Sequence, residues 1–244
     1  MKRNTGSALL PVLMLILGAA AFALRSALYA VAVDVKGLLL RGHPLEIGLT
    51  ALTAAAMLLA ALVAWKEEKS GFDAKPLGNC LAALGNAAAG AGILATVLTA
   101  ESLAAGYLAN AWQILGYAAP VCLLLAGITR MLGKRPFFLL YVAACLFFLV
   151  HIVTRYQLWS SNPQMQDYVF ALLGAVALML FAFYTAAMEA ACGNFRMRLG
   201  TGLTAIYLCA GDLAKSSCPA LYLGGILWVL TELCGIRYVS EEKK

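Results

Sequence analysis

The stretch RYQLWSSNPQMQDY, Arg155 to Tyr168, places an arginine, a tryptophan, a proline and an aspartate between two long apolar runs. Upstream, His151, Arg155 and Trp159 fall at i, i+4 and i+8, so imidazole, guanidinium and indole share one helical face. Asp167 across the short loop is a ready counter-charge. The segment therefore reads as an Arg155–Asp167 clasp, with a ligand contact at Arg155 as the alternative. Asn162 before Pro163 is a helix-start pattern, because the amide side chain accepts an early N–H and proline in the first turn loses no bond.

Further polar residues sit beside the apolar runs. Glu46 opens one run, Glu101 follows another, Asn110, Gln113 and Tyr117 fall at i, i+3 and i+7, and Asp212 with Lys215 closes a later one. Ionisable groups in membrane spans usually face a bundle interior or a wet cavity. Arg25, Glu46, Asn110, Gln113, His151, Arg155, Asp167 and Asp212 are accordingly the candidates for an outward-facing polar cup; the alternative is a set of wet interfacial positions. At the opposite side Glu189 and Glu232 are candidate inner acidic sites. Arg196, Arg198 and Arg237 are close to them in sequence, so ion pairs are expected, with a proton-coupled role as the alternative.

Enzyme chemistry is not expected. The chain has no H-E-x-x-H, no G-x-S-x-G and no phosphate-binding glycine loop. The segment CAGD, Cys209 to Asp212, together with Asp167 resembles a two-aspartate intramembrane protease, but Cys209 stands where the first glycine belongs. Two histidines without cysteines at ligand spacing argue against a metal site, and no cofactor is expected. The seven cysteines contain no C-x-x-C pair and read as small apolar residues.

The elements that must hold these residues follow from composition. Of 244 residues 63% are apolar and 12% charged, against about 25% charged in an ordinary soluble domain. Apolar runs of about 20 residues, enough to cross a hydrocarbon core of about 30 Å, recur along the chain. Backbone groups in lipid must bond within their own segment, so the fold class is all-α: a polytopic transmembrane helical bundle. Eight spans are expected near Ala8–Ala32, Leu45–Trp65, Leu77–Thr99, Ala109–Thr129, Pro136–Tyr156, Pro163–Ala191, Met197–Leu213 and Pro219–Cys234. The basic, then apolar, then small-residue order of the first segment mimics a secretory signal. Its apolar run continues past Arg25, so an uncleaved first span is preferred.

The longest connector, KEEKSGFDAKP, leaves no room for a soluble domain, and one membrane domain covers 1–244. The net charge of +6 is scattered in ones to threes without a basic stripe, which argues against nucleic acid. With both termini in the cytoplasm, the inner segments hold thirteen of the eighteen lysines and arginines, the asymmetry expected of cytoplasmic loops. The cytoplasmic membrane is the expected location. Matching features, Arg25 with Arg155 and HPLE with NPQMQD, suggest halves 1–133 and 134–244 in a four-plus-four parallel repeat, chance matching of apolar sequence being the alternative. Gly85 with Ala89, and Ala88 with Gly92, give small-xxx-small spacing that brings helices close, and Pro120 is expected to kink its span.

Arg155, Trp159, Ser160, Pro163, Asp167 and Tyr168 follow one another in an order that resembles uncharacterised polytopic membrane proteins of anaerobic Gram-positive bacteria. The resemblance covers the fifth and sixth spans and implies a class, without a chemistry. Two functions remain open. One is a small-solute transporter, or the membrane subunit of one that borrows an ATPase partner. The other is a non-transporting scaffold or accessory subunit whose small-residue faces pack on another membrane protein.

Overall fold

The computed structural model describes residues 6–32, 42–68, 73–76, 79–99, 108–160, 168–234 and 236–239. They form eight α-helices: α1 (Gly6–Val31), α2 (Pro44–Glu68), α3 (Asn79–Thr99), α4 (Ala109–Met131), α5 (Leu139–Trp159), α6 (Val169–Glu189), α7 (Phe195–Asp212) and α8 (Pro219–Cys234). A 3-10 turn, Leu213–Lys215, links the last two. Helices α1 to α6 are each long and apolar enough to cross a membrane. The sixth helix begins at Val169; the expected start at Asn162 and Pro163 lies outside the described residues, as do Glu101 and Asp167.

The other two helices owe their composition to their surroundings. α7 has eighteen residues, and everything from Cys209 back to Ala205 is buried, as are Leu203, Gly202, Leu199 and Arg198. α8 has only sixteen residues and buries Leu221, Tyr222, Trp228, Val229, Glu232 and Leu233. A helix sheathed by other helices meets protein rather than acyl chains, so it tolerates charge that a lipid-facing helix does not. α1, α2, α6 and α8 all pack on α7, while α3 packs on α4 and α8.

Small residues set how closely α3 and α8 approach. A Cβ on Gly92 would lie 2.4 Å from the Ala220 carbonyl oxygen, and one on Gly224 would lie 2.6 Å from that of Ala88. The two backbones therefore touch directly. Gly90 does the same against Pro120 of α4, through which that helix continues unbroken from Ala109 to Met131. α1 packs on α2 as α5 does on α6, and α3 on α4 as α7 does on α8, whereas the packing of α6 on α7 has no comparable counterpart between α2 and α3.

One element had no counterpart in the sequence reading. Asp73–Pro76 (β1), within the longest connector, pairs antiparallel with Ile236–Val239 (β2), in the register Asp73 to Val239. The strand pair ties the α2–α3 connection to the segment after α8.

Candidate functional site

Buried charges collect at two ends of the bundle. At the first, α4 closes on Gly133, whose φ of 70° lets its N–H reach the Arg130 carbonyl while Lys134 N–H reaches Thr129. That turn leaves Arg130 in the last helical turn, pointing inward. Asn194 caps α7 by accepting the Arg196 N–H at 3.0 Å, which fixes Arg198 one turn inside the helix. Between these cations sits Glu232 of α8, 3% exposed. One carboxylate oxygen pairs with Arg130 Nη1, and the other takes Arg198 Nη2 at 2.5 Å. Arg130 Nη2 also reaches Glu189 Oε1 of α6 at 2.7 Å, and Arg198 Nε donates to Thr185 Oγ1 at 3.2 Å. Two arginines thus face two glutamates across α4, α6, α7 and α8. The rings of Tyr141 and Phe181 underlie the two guanidinium groups at 5.6 and 5.5 Å.

Both inner acids are therefore ion-paired, and the partners differ in part from those sequence proximity suggested. Arg198 is one of them. Arg130, which carries the rest, is 59 residues from Glu189 and 102 from Glu232. Arg196 stacks over Trp65 at 5.4 Å, and the Arg237 side chain lies outside the described residues.

At the second end Arg25, 3% exposed, donates from Nη1 to Asp212 Oδ1 at 2.9 Å and to the Gly211 carbonyl at 3.1 Å. Its guanidinium lies 4.9 Å above the Phe170 ring. Asp212 Oδ2 is buried without a hydrogen-bond partner among the described residues. Lys215 Nζ sits over the Tyr29 ring at 4.3 Å. Beside this pair runs the helical face of α5. His151, Arg155 and Trp159, which share that face, are all buried, and Arg155 does not reach out to water as its place near the span end had suggested. Trp112 Nε1 of α4 donates to His151 Nδ1 at 3.3 Å, so the imidazole accepts there and carries its proton on Nε2. Replacing Trp112 with Phe removes that bond and is expected to cost about 1 to 2 kcal/mol, read as a lowered midpoint of unfolding in detergent.

Arg155 differs from the other buried arginines. It is 4% exposed, Nη2 donates to Cys218 Sγ, and the Trp159 ring lies 5.7 Å away. No carboxylate pairs with it among the described residues. Asp167, the partner the sequence offered, lies outside them. Cys218 immediately precedes α8, and its own N–H donates to Ser216 Oγ at 3.1 Å.

The expected cup is therefore gathered only in part. Arg25, Asp212, His151 and Arg155 are enclosed at one end. Glu46 caps its own helix, with Oε2 accepting the Gly42 N–H at 2.8 Å. It shares a hollow of about 420 Å³ with Arg25, Tyr29, Thr50, Thr53 and Phe170. Asn110 is exposed and Gln113 half-buried, away from the arginines' hydrogen bonds. Sequence reading missed Arg130, Trp112 and Cys218 as site residues: Arg130 counted only among the inner-segment basic residues, Trp112 reads as an ordinary span residue, and Cys218 lies between two expected spans.

Membrane-length helices packed around enclosed charges define a multi-pass integral membrane protein. Comparison with protein-family models, with curated proteins and with solved structures gives no match.

Proposed function

We propose that the protein is a small-solute transporter, or the membrane subunit of one, crossing the membrane eight times and receiving its solute at the Arg25 and Arg155 end. The lysine and arginine excess assigns that end to the outside and both termini to the cytoplasm. α7 and α8 count as spans in this reading: α7 alone extends about 27 Å, and its ends meet the two charge clusters.

One observation carries the proposal. At the Arg130 end each buried arginine faces a buried glutamate. At the other end Asp212 is matched by Arg25, and Arg155 has sulfur in place of a counter-charge among the described residues. A buried unpaired charge is strongly destabilising unless something offsets it. A solute that binds there supplies the offset. The scaffold reading leaned on the small residues of α3, and those facing α8 and α4 are taken up inside the chain.

Proteoliposomes preloaded with a pooled set of small polar metabolites test the reading by counterflow. Wild-type vesicles are expected to accumulate at least one labelled solute above protein-free vesicles, and Arg155→Ala to lose that accumulation at equal protein level. Counterflow indistinguishable from empty vesicles, or unchanged in the variant, refutes it. Recovery of a stoichiometric membrane partner lost in Arg155→Ala would move the assignment to the accessory class.

A further inference from the structure

We infer that a membrane phospholipid occupies the cleft between α2 and α6, with one acyl chain laid on α7 and its phosphodiester at Arg196. The site is separate from the Arg25 and Arg155 end, and it stands whether or not a solute is moved there.

α2 and α6 both pack on α7, and the gap between them is a cleft of about 480 Å³. Gly200, Thr204 and Leu208 of α7 form its floor, and Ala61 and Leu180 stand on its α2 and α6 walls. Two of the hydroxyls along it are turned back on their own helices: Thr53 donates to the Leu49 carbonyl and Thr201 to the Met197 carbonyl, each at 2.8 Å. The lining that remains is apolar. Both wall helices are of membrane length, so the open side of the cleft meets acyl chains rather than water.

The dimensions select the occupant. Arg196 and Leu208 both line the cleft and are twelve residues apart on α7, about 18 Å of helix, close to the half-thickness of a hydrocarbon core of about 30 Å. At the Leu208 end a hydrogen bond of 2.9 Å between Thr53 Oγ1 and Tyr207 Oη crosses from α2 to α7. A volume of about 480 Å³ over that length leaves a cross-section of about 27 Å², whereas a helix about 10 Å across needs about 80 Å². A chain of methylenes fits within the cleft, and a helix of a partner protein does not. Charge selects the other half of the molecule. The Arg196 guanidinium lies 5.4 Å from the ring of Trp65, which also lines the cleft and is 56% exposed near the end of α2, a position suited to the lipid–water interface. Its five N–H donors in a planar fork can serve a phosphodiester alongside protein acceptors. A tail gains no hydrophobic free energy on leaving the surrounding lipid, so packing in the cleft and the phosphate–guanidinium contact must retain the molecule together.

The full chain, reconstituted into vesicles of equal phosphatidylcholine and phosphatidylglycerol, then returned to maltoside detergent and gel-filtered, tests the site by phospholipid retained per chain. Wild type is expected to keep about one, and either headgroup counts because both carry the phosphodiester. Arg196→Gln should lower retention about tenfold, the effect of one charge-assisted hydrogen bond. Ala61→Leu, which fills the cleft, should lower it likewise, while Ala55→Leu, exposed on α2 outside the cleft, should leave it unchanged. No retention by wild type, or equal retention by all four proteins, overturns the inference; loss in Arg196→Gln with full retention in Ala61→Leu overturns the placing of the tail. A second measurement leaves the arginine intact. In vesicles carrying a minor fraction of brominated lipid, the emission of Trp65, taken as wild type minus Trp65→Phe, should be quenched more by brominated phosphatidylcholine than by brominated diacylglycerol with the same chains. Equal quenching by the two overturns the phosphodiester contact.

Discussion

Glu232→Gln is expected to destabilise the protein by about 3 to 5 kcal/mol, the range for removing one partner of a buried ion pair. The carboxylate is the hub of the Arg130 cluster, with one oxygen on each of two arginines. Glutamine keeps the shape and loses the charge. Arg130 retains Glu189 at 2.7 Å, but Arg198 loses its carboxylate and keeps only neutral acceptors, Thr185 Oγ1 and at most the new amide oxygen. The cost is set by this stranded guanidinium, held in a region from which it cannot reach water without dragging α7 outward. Two companion variants separate this cause from loss of packing. Glu189→Gln removes the more peripheral acid, and Arg130 keeps Glu232, so about 1 kcal/mol is expected. Arg198→Met with Glu232→Met removes one charge of each sign and leaves Arg130 paired with Glu189. The double variant should therefore be more stable than Glu232→Gln alone, because replacing a buried pair with apolar residues costs less than breaking it. Unfolding midpoints in detergent give the order. A Glu232→Gln protein within about 1 kcal/mol of wild type, or a double variant worse than the single, would refute the account of the cluster as a charge-compensation device.

What the sequence disclosed follows from the range of the forces involved. Helix class and span placement are local: each apolar run must satisfy its own backbone in lipid, and the expected edges of α2, α3, α4 and α8 lie within a few residues of those found. The shared face of His151, Arg155 and Trp159 was legible for the same reason, since 3.6-residue periodicity is enough to place it. Partner choice is not local. Arg25 and Asp212 are separated by 187 residues, and nothing near either one names the other. Arg130 read as a topology marker beside Lys134 and Arg135, although Gly133 turns it into the bundle. Glu46 shows the reverse case. Its bond to the Gly42 N–H lies four residues away, a local cap that the sequence could have shown, while the residue also lines the hollow beside Arg25. The β1–β2 pair escaped notice because strands of four residues are too short to carry a legible alternation in the sequence.

Gly224→Val is the substitution expected to disturb both ends of the bundle at once. A Cβ at Gly224 would stand 2.6 Å from the Ala88 carbonyl oxygen and 3.2 Å from Gly92 Cα, and both are backbone atoms of α3. No rotamer change relieves a clash with backbone, so the two helices must separate. Overpacking of this kind usually costs about 1 to 3 kcal/mol and is expected here at or above the top of that range, because a β-branched side chain fills both directions across the seam. α8 carries Glu232 near one end and is entered through Cys218 at the other. Displacing it pulls the carboxylate from Arg130 and Arg198 and moves the helix start away from Arg155. Stability and the Arg155-dependent counterflow should therefore fall together. Gly48→Ala is the control: nothing lies within 4 Å of its Cβ, and alanine in a helix interior gains about 0.5 to 1 kcal/mol over glycine. If Gly224→Val matches Gly48→Ala in midpoint, the α3–α8 seam is not a direct backbone contact. If it unfolds early yet keeps full counterflow, the entry of α8 at Cys218 is not part of the Arg155 site.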